Sequence, residues 1–445
     1  MAGPGINLIG QAEIDEVVEV LRSRHLSRYG RDDDPTFGAK VRHLELEVAR
    51  LCGVRYALGV NSGTSALWCA LGALGIGPGD EVIVPGFTFV ASISAIVYSG
   101  ALPVLAEVDA SLNLDPVDVE ARITPRTRAI MVVHMLGNPA RLAELKGIAD
   151  QHGLLLIEDC AQAFGARYRG QAVGSYGAVG ILSFNEFKTV TCGDGGMIVT
   201  NDEAIYRRCF ALHDQGHSPL RLGVDVGERP FLGLNFRMIE LAGAVLLAQV
   251  RRLPDILARL RANKRLFKAL LADVPSLGFR ELPDPEGDLA THLVVLFPDE
   301  TIARGVAREL GSRVLADSGW HIYTQMEHLL MQRTASMRGA PFNSPGEPVA
   351  DHYRPGMLPR TDDLVRRAMS IGIGVADPNL GSTFGVTVLD GEAEVQARAA
   401  VFREVATQYL GAAAVPRSAA THPARHPASG GASAAKRSEG DRAFS

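Results

Sequence analysis

Lysine is scarce in this sequence. Lys40, Lys146, Lys188, Lys264, Lys268 and Lys436 are the whole set, so most of the 45 basic residues are arginine and amine chemistry has few carriers. Cysteine is scarce too: Cys52, Cys69, Cys160, Cys192 and Cys209 make an odd number, with no C-x-x-C pair. Scattered, unpaired thiols fit a reduced state better than a disulfide framework or a zinc site, and predict no structural metal. No apolar run reaches the length of a membrane span, and the N-terminal "MAGPGINLIGQAEIDEVVEVLRSR" lacks a positively charged start ahead of an apolar core. These absences predict a protein that stays in the cytoplasm and has no membrane partner. A basic excess is missing as well. The net charge is −5, and no Lys/Arg stripe with interleaved aromatics is present, which argues against nucleic acid as a partner.

What is present is core-forming material: 445 residues, 47% hydrophobic and 21% charged, enough for a globular protein of two or more domains. The runs "EVIVPG" (81–86), "LPVLAEVD" (102–109), "RAIMVVHMLG" (128–137), "GLLLIED" (153–159), "GAVGILSF" (177–184) and "GGMIVTN" (195–201) read as strands with little polar alternation. Strands apolar on both faces belong to a mainly parallel α/β sheet sandwiched by helices. Between them, "SALWCALGALGI" (65–76), "ASISAIVYSG" (91–100) and "ARLAELKGIADQHG" (140–153) have helical spacing, the last two ending in glycine. A long helical pattern then runs to about Leu271, with Pro254 as a kink. The expected organisation is a large domain with the N-terminal segment over 1–250, a smaller α+β domain over 251–410, and a small, polar, disordered tail over 411–445.

In parallel sheets ligands sit beyond the carboxyl ends of the strands. Three features fall at such positions. "NSGTS" (61–65) opens a helix, where free N–H groups and hydroxyls of Gly63, Thr64 and Ser65 can cradle a phosphate; read alone, it is a plain N-cap. "LLLIED" ends on Glu158 and Asp159, and a buried carboxylate there needs a cation, for which a pyridinium N–H or one of the many arginines would serve. "SFNEFK" ends on Lys188, which forms a Schiff base if partly desolvated and is an ordinary loop lysine otherwise. Together, a phosphate cradle, a strand-end Asp and a strand-end Lys are the three fixed points of pyridoxal phosphate.

The motifs "VNSGTSAL", "DEVIVPGFTFVAS", "VDASLNLDPVDVEARITPRTRAI", "EDCAQAFGA", "SFNEFK", "GDGGMIVTND" and "GLNFRMIELAGA" occur in one order over about residues 10–410. On them the chain closely resembles the DegT/DnrJ/StrS family of pyridoxal-phosphate sugar aminotransferases, of fold type I with a seven-stranded-type sheet. The resemblance implies roles. Lys188 is the lysine that bonds the cofactor and shuttles the proton, and Asp159 holds the pyridine nitrogen. Gln162 meets the ring hydroxyl and Phe89 stacks on the ring, although neighbouring Phe87 leaves a core role open for it. Gly63, Thr64, Ser65 and Ser183 hold the phosphate, and Asn235 reaches the phosphate of a neighbouring subunit, which makes a homodimer with shared active sites the minimum unit.

Two positions depart from the common pattern: Asn185 stands where histidine is frequent, and "GDGG" replaces "GEGG". Asn185, His213, His217, His321 and Tyr323 are candidate substrate residues, as is Arg237, whose planar fork suits a carboxylate. "SRYGRDDDP" (27–35) is a possible lid. The resemblance implies transfer of nitrogen from glutamate or glutamine, through pyridoxamine phosphate, to a keto sugar, a nucleotide-linked keto sugar or a cyclitol in amino-sugar or antibiotic biosynthesis. The alternatives are non-transaminating chemistry on the same fold, such as dehydration, and a non-catalytic regulator.

Overall fold

In the computed structural model, which describes residues 3–30, 33–218, 229–336, 339–343 and 353–413, the apolar runs become strands buried on both faces. The strands are β1 (Tyr56–Val60), β2 (Glu81–Pro85), β3 (Leu102–Ala106), β4 (Thr127–Val133), β5 (Leu155–Asp159), β8 (Val179–Ser183) and β9 (Gly196–Thr200), with a small, half-exposed hairpin of β6 (Arg167–Tyr168) and β7 (Gln171–Ala172) between β5 and β8. Seven of them form one sheet in the order β1-β9-β8-β5-β4-β2-β3. Every pairing within it is parallel except the two made by β9. Hence β9 alone runs against the other six. The α/β class and mainly parallel sheet expected from strands apolar on both faces are what is found.

The reason is burial. Val82, Ile83 and Val84 on β2 and Ile130, Met131 and Val132 on β4 have no exposed surface. Each such side chain contributes about 1.5–3 kcal/mol by leaving water, which is why these strands lack polar alternation. The helices covering the sheet stop where their sequences say: Val90–Ser99 at Gly100 (φ 89°) and Leu142–His152 at Gly153 (φ 66°), both left-handed caps that glycine adopts without a Cβ clash. The long helical pattern is two helices, Glu240–Arg251 and Leu253–Leu271, with Pro254 in the first turn of the second, where its missing N–H costs nothing.

A second sheet of four strands follows: β10 (Gly278–Phe279), β11 (His292–Leu296), β12 (Ala368–Ile373) and β13 (Gly385–Val386), antiparallel except for β12 with β13. It packs against the helices Glu300–Glu309 and Glu392–Ala413. That last helix reaches into the segment expected as tail; the rest of it, from 414 to 445, lies outside the described residues, as do residues 31 and 32 of the expected lid.

Candidate active site

Because β1, β2, β4, β5 and β8 run the same way, their carboxyl ends share one edge, and the residues just beyond them meet in one cavity. Its floor is the start of the helix Gly63–Ala73. The Ser62 hydroxyl caps that helix by accepting the Ser65 N–H at 3.1 Å, while the N–H groups of Gly63 and Thr64 open the first turn. A Cβ on Gly63 would lie 2.8 Å from Ser183 Cβ, so only glycine lets the helix N-terminus sit this close to the end of β8. Gly63, Thr64 and Ser183 therefore form an anion-sized cradle on the positive end of a helix dipole. Ser65 is not part of it. Its hydroxyl donates to Asn61 Oδ1 at 2.7 Å and faces inward, and Ser62 takes the place expected for it in the lining.

The two acids at the end of β5 point to opposite faces, as alternation along a strand requires. Glu158 is fully buried and accepts the N–H groups of Gly174, Tyr176 and Gly177, each at 2.7 Å. It is a structural anchor. With His134 and Cys160 it makes a three-residue group of ligand-type atoms, but His134 Nδ1 already accepts the Ala140 N–H and its Nε2 faces Glu158, so these donors are spent on the fold.

Asp159 faces the cavity. Its Oδ2 accepts the Ser92 hydroxyl at 2.7 Å and its Oδ1 the Ala161 N–H at 3.0 Å. Burial pushes its pKa up; these hydrogen bonds and the charge of Lys188 act to bring it back down. A carboxylate held this way in a cavity still lacks a cationic hydrogen-bond donor.

Lys188 stands on a loop tied at its neck by Phe184 N–H to the Gly195 carbonyl (2.9 Å) and Cys192 N–H to the Phe184 carbonyl (3.1 Å). Asn185 shapes the turn: its Oδ1 accepts the Phe187 N–H at 3.1 Å and its carbonyl the Lys188 N–H at 3.0 Å. The N-terminal segment braces the loop from outside. Gly3 N–H bonds the Glu186 carbonyl at 2.8 Å, and the buried Gln249 amide links the Gly5 carbonyl to the Thr191 N–H. Burial lowers the Lys188 pKa, and the charges of Asp159 and Asp377 oppose that effect. The result is an amine biased toward its neutral, nucleophilic form.

Phe89, Gln162 and Asn185 complete the first cavity. Phe87 is fully buried and paired with Ile322, so Phe89 is the aromatic that faces the opening. Gln162 Oε1 accepts the Leu136 N–H at 2.8 Å, which leaves its N–H₂ for a ligand. A second, connected cavity lies over the first and is walled on its far side by Thr291, His292, Trp320, His321, Asp377 and Asn379. His321 leans on Phe89 with ring centroids 5.1 Å apart, and burial drives its pKa down to about 4.

The structure thus brings Gly63, Thr64, Phe89, Asp159, Gln162, Ser183, Asn185, Lys188 and His321 together. It places the other expected residues elsewhere. His213 is fully buried beside Arg28 (3.3 Å), and its ring bonds the Phe210 carbonyl. Tyr323 is fully buried too; its hydroxyl donates to Asp362 and accepts the Leu358 N–H, both at 3.2 Å. Both are corrections with one cause: polar tips are satisfied by local groups, so they serve packing instead of the cleft. Arg237 pairs with Asp214, whose Oδ1 also lies 3.6 Å from His217, and Asn235 is exposed on the same segment; none lines this chain's cleft. The sequence reading passed over Ser92, His292 and Asp377. Asp377 and His292 had a signal, a polar residue beside an apolar run in "IGIGVADP" and "THLVVLFP", whereas Ser92 sits inside a helix and had none.

The donor set suits a phosphorylated pyridine aldehyde: an anion cradle, a carboxylate for a ring N–H, an aromatic face, an amide donor and a desolvated amine. Residues 7–376 match the model of the DegT/DnrJ/EryC1/StrS aminotransferase family. The chain is 40% identical over 242 residues to GDP-perosamine synthase of Vibrio cholerae, which covers 54% of this chain and 64% of that protein. It is 44% identical over 234 residues to UDP-N-acetyl-3-dehydro-alpha-D-glucosamine 3-aminotransferase of Acidithiobacillus ferrooxidans, covering 52% and 62%. The matches span a little under two thirds of these relatives' lengths. Among solved structures, that of DesI in the presence of its TDP-sugar product is similar over 91% of this chain and 92% of that one, with a TM-score of 0.70 at 29% identity.

Proposed function

The chain belongs to the DegT/DnrJ/EryC1/StrS aminotransferase family, and from that premise we propose that it is a pyridoxal-phosphate-dependent aminotransferase. It moves an amino group from glutamate or glutamine to a keto sugar, a nucleotide-linked keto sugar or a cyclitol, as a homodimer in the cytoplasm. Its setting is amino-sugar or antibiotic biosynthesis. The observation that carries this reading is the convergence of Asp159, Lys188 and the helix N-terminus at Gly63 and Thr64 on one cavity.

When bound, the cofactor supplies an electron sink for the pair left on a substrate carbon that loses its proton. The protein does the rest. Gly63, Thr64 and Ser183 bind the phosphate through N–H and hydroxyl donors. Asp159, fixed by Ser92 and Ala161, keeps a proton on the ring nitrogen. Phe89 covers the ring face and the Gln162 N–H₂ meets the ring hydroxyl. Lys188, its pKa lowered by burial, is the amine placed to take the proton from the nitrogen-bearing substrate carbon and return it.

A second copy of the chain has a reason to be present. Leu232 is 95% exposed and Leu234 half exposed beside Asn235, an apolar segment that suits contact with a partner and would carry Asn235 to the partner's phosphate cradle. The test is direct. Purified protein absorbs visible light through its bound cofactor and releases 2-oxoglutarate from glutamate in step with amination of a keto sugar. Lys188→Ala abolishes the absorbance of the lysine-bound form and slows transfer by about 10²–10⁴-fold. A wild-type protein that holds no cofactor, or that consumes a keto sugar without releasing 2-oxoglutarate, would overturn the reading.

A further inference from the structure

The far wall of the cleft has a polarity of its own. Among the described residues of this chain, Lys188 is the one lysine or arginine in the combined lining of the two cavities, against the carboxylates of Asp159, Asp194 and Asp377. Asp159 points at the cofactor position, which leaves Asp377 as the charged group on the wall opposite. That residue is only 8% exposed. Its Oδ1 is occupied by the Asn379 N–H at 2.8 Å and the Leu380 N–H at 3.4 Å, so Oδ2 is the oxygen left for the cleft.

Beside it, His321 is also an acceptor. Its Nδ1 lies 3.3 Å from the Ser318 carbonyl, which can only accept, so Nδ1 carries the hydrogen. Burial keeps the ring neutral, with its pKa down at about 4, and Nε2 is then a bare lone pair. Two fixed acceptors, one of them anionic, need donors from the ligand. A phosphate or carboxylate placed there would meet like charge in a desolvated site and leave both acceptors unpaired.

We propose that Asp377, with His321 beside it, determines which acceptors this cleft takes: a neutral or cationic ring that turns hydroxyl or amino groups to this wall, with any phosphate of the substrate held away from it. The inference rests on the aminotransferase reading of the cleft and sharpens its substrate class. Asp377 is a specificity residue. Its charge also acts on Lys188 across the cavity, and its hydrogen-bond geometry, fixed by its own turn at 377–380, is present before any ligand arrives.

The test uses the holoenzyme after borohydride has fixed the link between Lys188 and the cofactor, so that amines bind without reacting. Glucosamine, myo-inositol and glucose 6-phosphate are titrated by calorimetry. Wild type prefers glucosamine to glucose 6-phosphate by about tenfold or more, the size of one charge-assisted hydrogen bond. Asp377→Asn keeps an Oδ1 acceptor for its turn but loses the charge, and the preference disappears; myo-inositol weakens less, because a neutral amide oxygen still accepts. Equal affinity in wild type, no binding of glucosamine, or an unchanged preference in Asp377→Asn overturns the inference. The two readings fail separately. A protein that holds cofactor and transfers nitrogen but shows no such preference refutes only this one.

Discussion

One wall of the cleft is assembled from the carboxyl ends of β1, β2, β5 and β8, and its groups come from a single sheet edge between Ser62 and Gly195. The other is gathered from the start of β11, the short turns around Trp320 and His321, and the loop after β12. The first is rich in donors: helix N–H groups, the hydroxyls of Thr64 and Ser183, the Gln162 amide and the Lys188 amine. The second carries the acceptors Asp377 and His321. The difference teaches that a rigid parallel edge fixes one partner, the cofactor, while a wall of separate loops is the place where substrates can be told apart.

Changes on the sheet wall should strike the reaction hardest. Asp159→Asn keeps the shape and the Ala161 N–H contact but removes the charge that holds a ring proton, so kcat should fall by about 10²–10³-fold, the usual cost of losing one preorganised electrostatic contact. A wild-type rate in Asp159→Asn would show that the two walls do not divide the work as described. Steady-state kinetics with glutamate decides it.

Acid should loosen the other wall first. His321 is neutral and buried with a pKa of about 4, against 6.5 for an exposed ring, and burial also drives the His292 pKa well down. The unfolded chain therefore binds more protons than the folded one between those values. The stabilisation from His321 is complete above 6.5 and is lost as pH falls through 4, at a cost of several kcal/mol. Amide exchange at pH 4.5 should show residues 291–296 and 318–323 losing protection before residues 56–60 do. Equal loss on both walls would remove the distinction.

The smallest effect is expected at the seam of the sheet wall. Gly63→Ala sets a Cβ 2.8 Å from Ser183 Cβ, which should cost about 1–3 kcal/mol of packing, spread the phosphate cradle and weaken cofactor binding. Equilibrium dialysis against pyridoxal phosphate measures it.

The sheet wall was legible because its signals are local. Lys188 and Asp159 each follow an apolar run, and Gly63 and Thr64 open a helix, so a linear reading rule finds all four. His213 and Tyr323 misled the same rule. Histidine and tyrosine near a presumed pocket look like ligands for substrate, yet their tips are met by the Phe210 carbonyl, Asp362 and the Leu358 N–H, and only packing reveals that. Ser65 failed for a related reason: a hydroxyl in a first helical turn can face the ligand or the core, and Asn61 drew it inward.

By itself, then, the sequence determined the sheet and the chemistry at its edge, because burial on both faces and strand-end polarity are written in consecutive residues. The tertiary structure alone decided which side chains face the acceptor. His292, His321 and Asp377 are separated by 29 to 85 positions in the chain. They become one wall only when β11, the turns around His321 and the loop after β12 come together at one cavity, and no local pattern encodes that contact.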